Sequence, residues 1–206
     1  NGDLAPEVAE QFEIGAEWYL SEASLVSATL FQKDIKDYVY GVTKSGTING
    51  VFINSLSTFE NGEEASLEGI ELNAQYSFDN GFGVGANYTY TNQTDGDVSF
   101  PMMSEDVFNA TGYYEGERFT ARLNYSYRSE FFKTLQENGE LYGDEQTQWD
   151  AQLSYALTDN VTIRAELLNI TDETIDDVYI AGNGTEVTGT QIYNGRRFFV
   201  GANLKF

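Results

Sequence analysis

The 206 residues carry 33 Asp plus Glu against 11 Lys plus Arg, a formal charge of −22, and contain neither Cys nor His. That balance disfavours a nucleic-acid partner, and the missing residue types exclude disulfides, thiol nucleophiles, Ser-His-Asp triads and imidazole metal sites. No run of about 18 apolar residues is present, so any passage through a membrane falls to strands, and 14 Tyr, 14 Phe and only 2 Pro suit long sheets.

Strict period-2 alternation begins early. Phe12, Ile14, Ala16, Trp18 and Leu20 share one face of a predicted strand, and Gln11, Glu13, Gly15, Glu17 and Tyr19 share the other. A weaker strand with an ambiguous face follows over 24–40. Residues 68–78 put Ile70, Leu72, Ala74, Tyr76 and Phe78 opposite Gly69, Glu71, Asn73, Gln75 and Ser77. Asp79-Asn80-Gly81 then reads as a hairpin turn into 81–91, where Phe82, Val84, Ala86, Tyr88 and Tyr90 alternate with Gly83, Gly85, Asn87, Thr89 and Thr91.

A second weaker strand lies near 106–114. Phe119, Ala121, Leu123, Tyr125 and Tyr127 alternate with Thr120, Arg122, Asn124, Ser126 and Arg128. Faces of Trp149, Ala151, Leu153 and Tyr155, and of Val161, Ile163, Ala165 and Leu167, come next, and Phe198, Val200, Ala202, Leu204 and Phe206 close the chain. Seven N-x-S/T triplets include Asn87, Asn109 and Asn124, whose third residues fall on the same strand face, so period 2 explains those better than glycosylation.

These nine strands run to about ten residues each, the length that crosses a bilayer when tilted, rather than the roughly 5 to 6 of soluble sheets. Connections alternate between short (21–23, 79–80, 115–117, 158–160) and long (41–64, 92–105, 129–147, 171–195). Short turns at the periplasmic rim and long extracellular loops are the arrangement of outer-membrane barrels. The predicted fold is all-β, a transmembrane antiparallel β-barrel. An odd strand count cannot close by itself, so the chain reads as part of a larger barrel.

Four blocks of sequence carry a resemblance. "NGDLAPEVAEQFEIGAEW" and "NGEEASLEGIEL" are similar to N-x-x-L-x-P-E and N-G-x-x-A-x-x-x-G-x-E-L segments of TonB-dependent outer-membrane receptors. "FNATGYYEGERFTARLNYSYRSEF" resembles their Tyr-Arg-Ser hairpin, and "AELLNITDET" followed by "GRRFFVGANLKF" resembles their Asn-Leu-Thr-Asp element and closing strand. The resemblance implies a barrel of about 22 strands filled by an amino-terminal plug. Residues 1–206 would then be its nine carboxyl-terminal strands, with the plug and earlier strands absent.

It further implies a Gram-negative outer-membrane location and TonB-energised uptake of a scarce small-molecule nutrient, either a carbohydrate or a ferric siderophore. The implied partners are lipid, the receptor's own plug and remaining strands, the TonB complex reached through the plug, and the barrel assembly machinery. That machinery would read Phe206 as an assembly signal. A passive porin or surface adhesin, and a soluble β-sandwich binding module, are the alternatives. Neither catalysis nor a cofactor is expected.

Glu71, Arg122, Arg128, Arg164 and Glu166 fall on the polar faces and are expected to meet the plug, because enclosed charges need partners. Phe131, Phe132, Tyr142, Tyr179 and Tyr193 stand in the long connections, where rings could stack on a sugar or cover a chelate. The acidic stretch Asp172 to Asp177 fits no compact calcium loop and is expected to be a solvated loop.

Overall fold

The computed structural model describes residues 2–96 and 98–206. Asn1, where the sequence opens, and Asp97, inside the connection expected over 92–105, lie outside the described residues. In chain order the strands are β1 (Val8–Ser21), β2 (Ser24–Lys36), β3 (Val39–Ile48), β4 (Val51–Asn61), β5 (Glu64–Ser77), β6 (Phe82–Asp95), β7 (Asp106–Glu115) and β8 (Phe119–Arg128). They continue as β9 (Phe131–Gln136), β10 (Gly139–Gly143), β11 (Gln146–Thr158), β12 (Val161–Leu168), β13 (Ile175–Ala181), β14 (Glu186–Ile192) and β15 (Arg197–Leu204).

Nine of these form one antiparallel sheet in the order β1-β2-β5-β6-β7-β8-β11-β12-β15. They correspond to the nine strands predicted from alternation. The sheet is open, with β1 and β15 as its edges. Its register carries the period-2 pattern across every strand, because directly paired residues point to the same side. One row reads Val26, Ala74, Ala86, Ala110, Tyr125, Trp149; the next reads Ser27, Asn73, Asn87, Asn109, Ser126, Gln148. A slip of one residue in any strand would drive amides into the apolar face.

That apolar face is uncovered. Phe12, Trp18, Phe198 and Val200 are among its most exposed side chains, and no second sheet packs on it among the described residues, which removes the β-sandwich alternative. Rings pair along the apolar face: Phe82 against Tyr114 at 4.8 Å between centroids at one end, and Tyr125 against Trp149 at 4.8 Å in the Ala86 row. From Phe82 to Tyr90 the strand climbs roughly 27 Å, or about 20 Å once tilted, close to the apolar band of an outer-membrane barrel.

Gly112 lies on this face, and a Cβ there would meet nothing within 4 Å. Gly112→Ala is therefore expected to leave stability within about 0.5 kcal/mol of the wild type. Surface level and heat-modifiable mobility on a gel are the readouts.

The ambiguous strand 24–40 resolves for a packing reason. Val26, Ala28 and Leu30 share the apolar face, while Phe31 lies on the polar one, paired with Gly69, where its ring covers the space that a Gly69 side chain would take. β2 stops at Lys36 because Asp37 adopts φ 55° and turns the chain into β3.

Three of the four long connections are more than loops. Residues 41–64, 129–147 and 171–195 contain most of the hairpins β3–β4, β9–β10 and β13–β14, which join in a second sheet ordered β14-β13-β10-β9-β3-β4. Asn49-Gly50, at φ 51° and 81°, makes the tight turn of the first hairpin. The junction between β3 and β9 is parallel and only two pairs long, Gly41 with Thr134 and Val42 with Leu135.

Between the two sheets sits a small core of Ile35, Tyr38, Ala65 and Leu67, with Phe100 and Met103 packed against it. The Tyr38 hydroxyl donates to the Val98 carbonyl at 3.2 Å. Asn61 ties the entry of the chain to this core: its amide donates to the carbonyls of Ala5 (3.1 Å) and Asp37 (2.5 Å), and its oxygen accepts the Ala5 N–H at 2.8 Å. A side chain at Gly62 would overlap the Tyr38 ring. The Asn61-Gly62 pair is thus a clip and a space.

Candidate functional site

Where the polar face meets the second sheet, a depression opens that is lined by Asn109 of β7, Arg128 of β8, Gln146 and Gln148 of β11, Asn169 after β12 and Arg197 of β15. Pairing delivers most of it, because Arg128 stands opposite Gln146 and Ser126 opposite both Asn109 and Gln148. A wall with a lateral period near 4.8 Å therefore presents amides and hydroxyls side by side beneath a guanidinium.

Arg128 is held at three points. Its Cζ lies 3.8 Å from the Phe131 ring centroid, over the ring, Nε donates to Ser104 Oγ at 3.0 Å, and Nη2 donates to the Met102 carbonyl at 3.2 Å. Guanidinium stacking and donation to neutral acceptors leave the positive charge uncompensated and its remaining N–H groups available. The Arg197 side chain makes no ion pair or hydrogen bond among the described residues. In a chain with only 11 cationic side chains, two at one polar depression favour an anionic guest, with Glu173 the one carboxylate on the lining among the described residues.

Asn169 builds the other side. It is buried at φ 56°, a left-handed conformation that Asn tolerates better than other side chains. Its N–H donates to Asp150 Oδ1 at 2.9 Å, and its oxygen accepts the Glu173 N–H at 2.8 Å. Its amide donates to the carbonyls of Glu173 at 2.9 Å and of Gly195 at 3.4 Å. One side chain thereby ties both ends of the segment 170–195 to the wall. Nothing in the spacing of residues announces that role; a polar residue between a strand and an acidic run reads as ordinary turn chemistry.

The five rings of the long connections are not gathered in one place. Phe131 and Phe132 are buried, at 5% and 2% exposure, and Phe132 packs edge-on against Tyr142 at 5.7 Å. Their rings are engaged in packing, with Gly143 leaving room for Phe131. Tyr142 is half-buried; burial raises its phenol above the ordinary value, partly opposed by a hydrogen bond with Ser99, and its hydroxyl donates to Glu140 Oε2 at 2.8 Å. Tyr179 sits on β13, opposite Leu141, and Tyr193 is exposed beyond β14, donating to Gln191 at 3.1 Å.

The charged residues of the polar face divide by height. Glu71 shares a row with Thr89, Val107 and Arg128 near the depression. Arg122 and Glu166 flank Gln152 near the opposite end, with Arg164 one row further. Arg122 lies 3.7 Å from Glu115 and over the Tyr113 ring at 5.6 Å. Phe206 follows β15 and is fully exposed. In the acidic stretch, Asp177 pairs with Lys133 at 2.6 Å and Asp172 with Arg196 at 3.7 Å, so it is partly tied down rather than wholly solvated.

Residues 1–170 match the family model described as TonB dependent receptor-like, beta-barrel. Over its whole length the chain is 26% identical to the iron-regulated outer membrane virulence protein of Vibrio cholerae serotype O1, of which it covers 32%. Among solved structures, the ferric-catecholate import receptor Fiu from E. coli K12 superposes with TM-score 0.68 at 20% identity, covering all of this chain and 29% of that one. The copper transporter OprC superposes with TM-score 0.72 at 18% identity, over 100% and 32%. The ferric yersiniabactin uptake receptor FyuA from Yersinia pestis gives 0.69 at 16%, over 97% and 30%. The chain thus spans about a third of the length of these relatives.

Proposed function

The chain belongs to the TonB-dependent receptor-like β-barrel family, and from that premise we propose that it forms the final barrel wall of an outer-membrane receptor that imports an anionic ferric chelate with energy relayed through TonB. The observation that carries the choice of cargo is the mouth of the polar face, where Arg128 and Arg197 stand over neutral amides. Catecholate and carboxylate chelates of iron are anions, and a guanidinium binds planar oxygen donors through paired N–H groups. A neutral carbohydrate would gain less from that charge and would call for ring faces at the mouth, whereas none of Phe131, Phe132, Tyr142, Tyr179 and Tyr193 lines it. The E. coli and Yersinia relatives, a ferric-catecholate import receptor and a ferric yersiniabactin uptake receptor, support iron as the cargo. Lipid covers the apolar face, and the plug meets the polar one.

In the full-length receptor, expressed in cells deprived of iron, accumulation of radioactive iron supplied as a catecholate chelate is expected, and is expected to vanish in a strain lacking TonB. Arg197→Ala should weaken binding of the chelate to whole cells by about tenfold, the worth of one charge-assisted contact. Import of a labelled oligosaccharide in place of the chelate, or accumulation independent of TonB, would reject this reading.

A further inference from the structure

The polar face is not uniform. Asn73, Asn87, Asn109, Ser126 and Gln148 form one row across β5 to β11, and Gln75, Gly85, Thr111, Asn124 and Asp150 form the next. Nine of these ten positions are uncharged. Several of the side chains are satisfied within the wall: Asn109 donates to Asn87 at 2.9 Å, Thr111 to Asn124 at 2.7 Å, and Asp150 accepts from Gln148 at 2.8 Å and from the Asn169 N–H at 2.9 Å. Further from the mouth, the Arg164 and Glu166 side chains make no ion pair or hydrogen bond among the described residues.

Those two zones differ in what they demand of a neighbour. An enclosed unpaired charge gains from a fixed countercharge and binds it persistently. A ladder of amides already bonded to one another offers weak, exchangeable contacts to water or to a polar solute, and losing any one neighbour costs it little. We propose that the amide ladder is the stretch of wall bared to a passing hydrated solute when the plug shifts, while Arg164 and Glu166 keep hold of the plug. This rests on the receptor reading above and adds to it a side of the barrel along which passage occurs.

The chain contains no cysteine, so within it a single introduced thiol reports one position. In full-length receptor on whole cells, with the ferric catecholate chelate present, Asn87→Cys and Asn109→Cys are expected to react several-fold faster with fluorescein maleimide in energised cells than in uncoupled ones. Arg164→Cys should stay protected in both. Asn87→Trp, on the ladder but outside the mouth, should cut import several-fold while leaving chelate binding at the surface unchanged. A rise at Arg164→Cys without one on the ladder, equal changes at all three, or no change at any, in a receptor that still imports the chelate, would overturn the proposal alone. A receptor that neither binds nor imports the chelate fails the function reading instead. Surface level of each variant separates a misassembled barrel from either outcome, and Asn73→Cys replaces any ladder variant that fails to insert.

Discussion

Gly69→Val is expected to prevent assembly of the wall. Gly69 stands between Phe31 of β2 and Thr91 of β6, and any Cβ built on it would overlap both the Tyr90 carbonyl oxygen and the Phe31 ring. The ring could swing away, but the carbonyl belongs to the β5–β6 ladder and can move only if the strands part. Overpacking against backbone costs about 3 kcal/mol or more, a large fraction of the stability of a single domain. The Phe31 ring would also lose the glycine surface on which it rests. A variant at wild-type surface levels with unchanged heat-modifiable mobility would contradict this. Gly112→Ala, on the open face of β7, provides the tolerated comparison.

The same glycine shows why much of the wall was legible and some of it was not. Alternation fixes which side of each strand is apolar, and Asp79-Asn80-Gly81 fixes a hairpin: Gly81 takes φ 85°, and the Phe78 N–H bonds the Phe82 carbonyl at 2.8 Å. Strand β2 defeats the pattern because Phe31 serves the polar face as a cover for Gly69, a relation visible only when two strands are set in register. The hairpins inside 41–64, 129–147 and 171–195 escape for a different reason. Their strands are short or partly wet on both sides, so no face is reserved for apolar residues and no period emerges.

Site residues follow the same division. Arg128 is readable as a polar-face residue from the alternation of β8, but its position over Phe131 depends on the connection folding back through the Ser104–Phe131 bridge. Asn109, Gln146 and Arg197 come from strands separated by dozens of residues, and only the pairing order brings them to one mouth. Phe131 and Phe132 are rings in a connection, which is what an exposed stacking platform and a buried anchor have in common in a sequence.

Asn169→Ala is expected to release the segment 170–195 while leaving the nine-stranded sheet in place. The substitution removes one acceptor and two donors from a buried turn; the Glu173 N–H and the Glu173 and Gly195 carbonyls lose their protein partner. At about 1 kcal/mol for each bond, with a further cost for the alanine at φ 56°, the local loss comes to about 3 to 4 kcal/mol. Protease added outside whole cells should then cut within 172–195 much faster than in the wild type, and chelate affinity should fall because Asn169 and Asn194 line the mouth. Asn169→Gly separates the two causes, since glycine accepts the backbone angle but supplies no amide. If the hydrogen bonds are what hold the segment, the glycine variant is cut nearly as fast as the alanine one. Cleavage of Asn169→Gly at the wild-type rate would instead assign the effect to backbone strain, and the clip would have to be abandoned as the anchor of the mouth.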